Sequence, residues 1–342
     1  MIDTTEVTAP PSPLRARSAH ASIRPWSWTL RVGRPLFQAA SVALGVMVVT
    51  FFLIRFALED PAVGRARQVT LLLSVPPELV EQMRQDLGIE GNWIQQFGVY
   101  LLDLLGGDLG DSYQYSELSV AQLVGAGLGT TLMVAVLTAA VSSVLGIALG
   151  LATGTKAGRS FDRLMRGAST VAMSAPSALI ALALILLLSV RLGWLPAGGW
   201  GDGYPENFRY LVLPVATLCV WYTPMILRVV RERVASVMAD GHIEAARARG
   251  LSPWRITLAH VLPSCALPLV TMVALSMGGL LSGAVIVEIV FGIPGIGHVM
   301  TGAINTSDFP VIQALTIFTA LVIVTCNMAA EVAGRAIDPR TR

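Results

Sequence analysis

Few side chains in this 342-residue sequence are placed to make or break bonds. The single lysine, Lys156, follows Thr155, so the Gly-Lys pair of a phosphate-cradling GxxxxGK[ST] loop is missing. There is no HExxH, and no GxGxxG set on a strand. His20, His242, His260 and His298 are scattered. Cys219, Cys265 and Cys326 are far apart, without CxxC or Cys/His clusters, and read as small apolar packing residues. Ser142, Ser143 and Ser174 lie in apolar runs with no partner base in view, which argues against an intramembrane enzyme. What remains is a charged stretch at 244–263, EAARARGLSPWRITLAHVLP, set between two long apolar runs. Its chemistry is not that of catalysis, and the residues alone fit either a docking element or an ordinary solvated loop.

The elements that position it are apolar. The chain is 54% hydrophobic and 13% charged, with mean hydropathy +0.66 and net charge +2. Soluble domains carry about 25% charged residues, so a bilayer is the expected solvent. A bilayer-spanning helix needs about 20 mainly apolar residues. Six stretches qualify, near 37–58, 127–153, 167–190, 209–230, 264–290 and 311–333. Residues 1–36 read as a flexible tail before an uncleaved first span, because the apolar run is longer than a signal-peptide core. Residues 59–120 read as a polar insert whose two helical segments are too charged to span.

The cations set the orientation. Five arginines precede residue 37, four cations lie in 154–166, six in 228–263, and Arg335, Arg340 and Arg342 close the chain. The loops 192–208 and 291–310 have none, and the insert has three against ten acids. Cytoplasmic loops hold the Lys/Arg excess, so both termini and the stretch 244–263 are expected inside and the insert outside. Gly146, Gly150 and Gly154, and also Gly279 and Gly283, have the spacing for close helix packing. Arg55, Glu288 and Glu331 are charges within spans, each near an interface, and Arg209 and Arg228 mark the two ends of the span 209–230. Only Glu288 is carried forward, as a weak pathway candidate. No charge sits near a midplane, as an ion-coupled carrier would require.

Asp240 is the expected N-cap of a short helix over 241–249, with Gly250 in the left-handed closing position. Ser252 followed by Pro253 signals a second start. The first helix is too short to stand alone and needs a partner surface. Ala245, Ala246 and Ala248 keep it slim. Ile243 is the expected apolar anchor, and Glu244, Arg247 and Arg249 the rim.

The stretch resembles the EAA loop of permease subunits of binding-protein-dependent ABC importers. Glu244, Ala245, Ala246, Gly250, Leu262 and Pro263 stand at the matching spacing, while His260 replaces the usual Ile. The segment LGIEGNWIQQFGVYLLDLLGGDLGDSY, with its run Gly107, Asp108, Leu109, Gly110, is similar to the outer insert of oligopeptide/dipeptide/nickel-type permeases. LSMGGLLSGAVIVEIVFGIPGIGHVM and AIDPRTR also resemble that subfamily. At the end of span one, Leu58, Glu59, Asp60, Pro61 stand where the family usually has Pro-Gly-Asp-Pro.

The resemblance covers about 36–342 and implies an all-α membrane protein of the type I ABC importer permease fold, with a core over 121–342. It implies a bacterial inner-membrane location and a coupling loop at 240–263 that docks on an ATPase through Ile243, Glu244, Ala245, Ala246, Arg247, Arg249, Gly250, Leu251, Ser252 and Pro253. The implied partners are a second permease, two ATP-binding subunits that hold ATP and Mg, an extracytoplasmic solute-binding protein and the lipid bilayer, with no nucleic acid. The chain itself is expected to hold no cofactor and to catalyse nothing. Peptides are the default cargo. Nickel, metallophores, glutathione-like compounds and sugars stay open. The contrasting class is an ion-coupled carrier or channel working alone.

Overall fold

The computed structural model describes residues 26–57, 60, 62–63, 66, 76–86, 92–114 and 118–337. Every element among them is a helix, apart from one isolated antiparallel bridge between Asp111 and Ser119. Residues 1–38 form one unit and residues 39–342 a second. The first unit is described over 26–38, where it is helical.

Helix α1 (Trp26–Ala57) begins well before residue 37. Hydropathy marks where an apolar run starts, not where the backbone becomes helical. The insert carries α2 (Pro77–Asp86) and α3 (Trp93–Leu105). Arg84 of α2 pairs with Asp60. The expectation that both insert helices are too charged to span needs correction for α3. It carries one charge, Asp103, and what excludes it is length, about 20 Å at ~1.5 Å per residue against a ~30 Å core. Its Phe97 and Tyr100 pack on the buried ring of Phe51, with centroids 5.0 and 6.0 Å away.

The bundle follows as α4 (Val120–Gly154), α5 (Ser160–Ser174), α6 (Ser177–Leu184) with a π-helical extension Ile185–Arg191, and α7 (Asn207–Met238). Then come α8 (Gly241–Ala248), α9 (Pro253–Ile256), a π-helical turn Thr257–Val261, α10 (Leu262–Phe291), α11 (Ile296–Asn305) and α12 (Phe309–Ile337). Among the described residues four helices are long and apolar enough to cross a membrane, at Val120–Gly154, Asn207–Met238, Pro253–Phe291 and Phe309–Val332. The apolar part of α1 described is shorter, Ala40–Leu53.

The third expected span, 167–190, is not straight. α5 and the α6 segment meet at 103°. Ala175 is extended, φ −82 and ψ 133, because the ring of Pro176 excludes the helical conformation from the residue before it.

The core forms where α4 and α7 touch. A Cβ on Gly146, Gly150 or Gly154 would lie 2.6–2.7 Å from side-chain atoms of Ile226, Val230 or Val234. The stripe therefore sets the approach of the two backbones. The second pair, Gly279 and Gly283, faces the Tyr222 hydroxyl at 3.0 and 3.8 Å from the added Cβ.

Candidate functional site

The loop 240–263 is built by local signals. α8 has Asp240 in the N-cap position, where its backbone carbonyl accepts from Ile243 N–H at 3.0 Å. The Asp240 side chain makes no capping bond and lies 3.8 Å from His242 instead. At the other end Gly250 has φ +80. Its N–H donates to Arg247 O at 2.9 Å, and Leu251 N–H reaches back to Ala246 O at 3.3 Å. This double closure is a Schellman motif, which requires the left-handed residue that glycine supplies without strain. Ser252 then accepts from Arg255 N–H at 3.4 Å, with Pro253 at the first helical position.

The second helix of the loop is not short. From Pro253 the chain runs through the π-helical turn into α10 without a break. The turn falls just before Pro263, which has no N–H to give to the preceding helical turn. α7 and the Pro253–Phe291 rod have 32 and 39 residues, about 48 and 58 Å at ~1.5 Å per residue, so both exceed a ~30 Å bilayer core. The eight-residue α8 is bracketed between two rods.

Its two faces divide the expected contact residues. Ile243 and Ala246 are fully buried and pack with Val230, Val234, Val237, Ile256, Val261 and Cys265. The anchor expected to reach a partner thus holds α8 to its own bundle. An i, i+3 apolar pair on a short helix signals such an inward face. Leu251 is half-buried against the same cluster. Glu244, Ala245, Arg247, Arg249, Gly250, Ser252 and Pro253 are exposed, with Trp254 71% exposed beside them. The outward surface is a short helix edge of alternating small and charged groups flanked by an indole.

Glu288, the weak pathway candidate, is engaged inside the bundle. It is fully buried at the end of α10, where Oε1 accepts from the Thr131 hydroxyl at 2.6 Å and Oε2 from Gly297 N–H at 2.7 Å. Thr131 in turn accepts from Ile296 N–H at 2.9 Å. Glu288 and Thr131 together satisfy free N–H groups at the start of α11 and fit the positive end of its dipole. A Cβ on Gly295 would collide with the carboxylate. Glu288→Ala is therefore expected to destabilise the folded chain by about 2–4 kcal/mol, because it leaves buried donors unpaired and opens a void. The thermal midpoint in detergent reads this. An unchanged midpoint with lost transport would return Glu288 to the pathway.

Three polar locks were not read from the sequence. Arg231 donates bidentately to the buried Asp162 at 2.8 and 2.8 Å, and Gly158 N–H adds a third bond at 2.8 Å. Thr131 is the second lock. In the third, Asp308 accepts from the Ser112 hydroxyl at 2.5 Å and from Tyr113 N–H at 3.1 Å, which pins the end of the insert to the start of α12. Asp162 carried a signal, as the single acid among four cations in 154–166. Two of the three hydroxyls of the enzyme reading are otherwise engaged, Ser142 on Cys219 Sγ at 3.2 Å and Ser174 on Thr170 O at 2.8 Å. The side chain of Arg55 and residues 1–25, 58–59 and 338–342 lie outside the described residues. Among the described residues no cluster of His, Cys, Asp and Glu could hold a metal ion.

Long apolar helices around a short helix with one buried and one exposed face define a multi-pass membrane protein. The chain belongs to the family of binding-protein-dependent transport system inner membrane components, whose profile matches residues 146–342. Its relatives include an oligopeptide transport system permease protein OppB of Haemophilus influenzae, 29% identical over 307 residues, covering 90% of this chain and 97% of that one. A probable peptide ABC transporter permease protein y4tP of Sinorhizobium fredii is 30% identical over 312 residues, covering 90% and 98%. The OppB of Escherichia coli is 26% identical over 309 residues, covering 90% and 98%.

Proposed function

We propose that this chain is one of two transmembrane subunits of an ATP-driven importer in a bacterial inner membrane, and that its cargo is peptides. The names of its relatives support the cargo class. In this reading the chain crosses the membrane six times with both termini inside. Residues 1–36 are the inner tail, 37–58 the first span, 59–120 the outer insert and 121–342 the core. ATP and Mg are held by two separate ATPase subunits, and this chain catalyses nothing. A solute-binding protein docks on the insert and on 291–310.

The observation that carries the reading is α8, held through Ile243 and Ala246 between two unbroken rods while its opposite face is exposed. ATPase closure moves α8. Because no flexible linker intervenes, the displacement passes into α7 and α10 and shifts the path between inward and outward states. Glu288 is left out of the path, since its two oxygens are already engaged.

The test is a charge reversal. Glu244→Arg is expected to weaken ATPase association at least tenfold, read as ATPase co-purified with the tagged permease. Ile243→Ala is expected to lower the thermal midpoint instead, since Ile243 faces inward. Undiminished co-purification of Glu244→Arg would remove α8 from the docking surface.

A further inference from the structure

An apolar groove of about 790 Å³ lies between α4, α5 and α7. Val141 and Leu145 form one wall, Met165 and Ala172 the second, Val212 and Val220 the third. Along α7 its lining runs from Phe208 to Leu227, roughly 28 Å at ~1.5 Å per residue. That exceeds the ~15 Å depth of one hydrocarbon leaflet.

At the Leu227 end the groove meets a second cavity of about 370 Å³, with Ser169 and Leu227 lining both. This one is cationic. Arg166, Arg228 and Arg231 line it, together with Thr170 and one acid, Glu232. Arg231 is neutralised by Asp162 at 2.8 Å, and Arg166 is half-exposed with only a long contact to the same carboxylate, 3.7 Å. Arg228 is exposed and makes no ion pair among the described residues. Two acids against three arginines leave positive charge facing the cavity. The same residues belong to the cation-rich segments 154–166 and 228–263.

An apolar slot long enough to take an acyl chain, ending at a net-positive cluster of guanidinium groups, is complementary to one kind of molecule. From this geometry we infer that the groove and its basic end hold one anionic phospholipid of the cytoplasmic leaflet, with a chain along α7 and the phosphate at Arg228 and Arg166. Basic pockets between spanning helices on the cytoplasmic side favour such headgroups. The lipid would act as a strut. α5 is otherwise tied to α7 by the Asp162 pair and by Trp221 Nε1–H donating to Met173 O at 3.2 Å.

The complete transporter, reconstituted into phosphatidylcholine vesicles doped with photoactivatable phosphatidylglycerol or photoactivatable phosphatidylcholine, tests this. Phosphatidylglycerol is expected to label the α5 and α7 segments about fivefold more than phosphatidylcholine, and Arg228→Gln to remove about that factor. Ala216→Trp, which fills the slot, is expected to reduce labelling by both lipids. Equal labelling by the two lipids, or undiminished labelling of Arg228→Gln, overturns the site. So does a cross-link from Leu145→Cys to another protein chain, which would assign the groove to a protein helix. ATPase co-purification from the same preparations is read separately, so failure of the lipid site leaves the coupling reading standing.

Discussion

Gly250→Pro is expected to abolish ATP-coupled uptake while the permease remains in the membrane. Two physical losses coincide at this position. Proline is fixed near φ −65°, whereas residue 250 sits at φ +80. Proline also lacks the N–H that donates to Arg247 O at 2.9 Å. The Schellman closure cannot form, so α8 is freed at its C-terminal end from the rod beginning at Pro253. The spans themselves are untouched, because their packing lies along α4, α7 and α10.

The graded variants sharpen the prediction. Gly250→Ala meets no neighbouring atom within 4 Å and suffers only the backbone strain of about 1–2 kcal/mol, so partial uptake is expected. Gly250→Asn, which tolerates the left-handed region, should retain most of it. The measurement is peptide uptake into vesicles containing the full transporter, with membrane abundance as the control. Uptake by Gly250→Pro at the wild-type rate would detach the loop from the mechanism.

The second large effect is on folding. Gly150→Leu is expected to eliminate folded, monodisperse protein from mild-detergent extracts. The first atom of the new side chain would already stand 2.6 Å from Val230 Cβ and 2.7 Å from its Cγ1. Val230 is fully buried and α4 backs directly onto α7, so neither partner can yield without separating the helices. Overpacking costs about 1–3 kcal/mol at an adaptable site, and more where backbones are in contact. In lipid such backbone proximity is itself a source of helix association, so the substitution both adds repulsion and removes attraction. Gly45→Leu is the control, since nothing lies within 4 Å of its Cβ position and it should behave as wild type. Normal yield of Gly150→Leu would mean that the stripe does not set the α4–α7 approach.

These predictions differ in how far the sequence reveals them. Gly250, Ser252 and Pro253 act within a few residues of themselves, so the turn geometry could be read from residue types alone. The stripe of Gly146, Gly150 and Gly154 was equally legible, because a four-residue spacing on a helix means one face. The bend at Ala175 was not anticipated, although Pro176 carries its signal. A 20-residue apolar window averages across a proline. The inward direction of Ile243 was missed because a lone short helix was expected to seek its partner outside the chain.

What the residues determined by themselves is whatever depends on neighbours in sequence. That includes the helical class, the apolar runs, the side on which cations collect, and the helix–turn–helix over 241–256. What tertiary structure alone decided is which polar groups meet. Asp162 finds Arg231 69 positions away, Thr131 finds Glu288 157 away, and Ser112 finds Asp308 196 away. A buried carboxylate must be matched by donors, but any of several helices could supply them. The choice follows from which rods stand side by side, and that is set by packing across the whole bundle rather than by any local pattern.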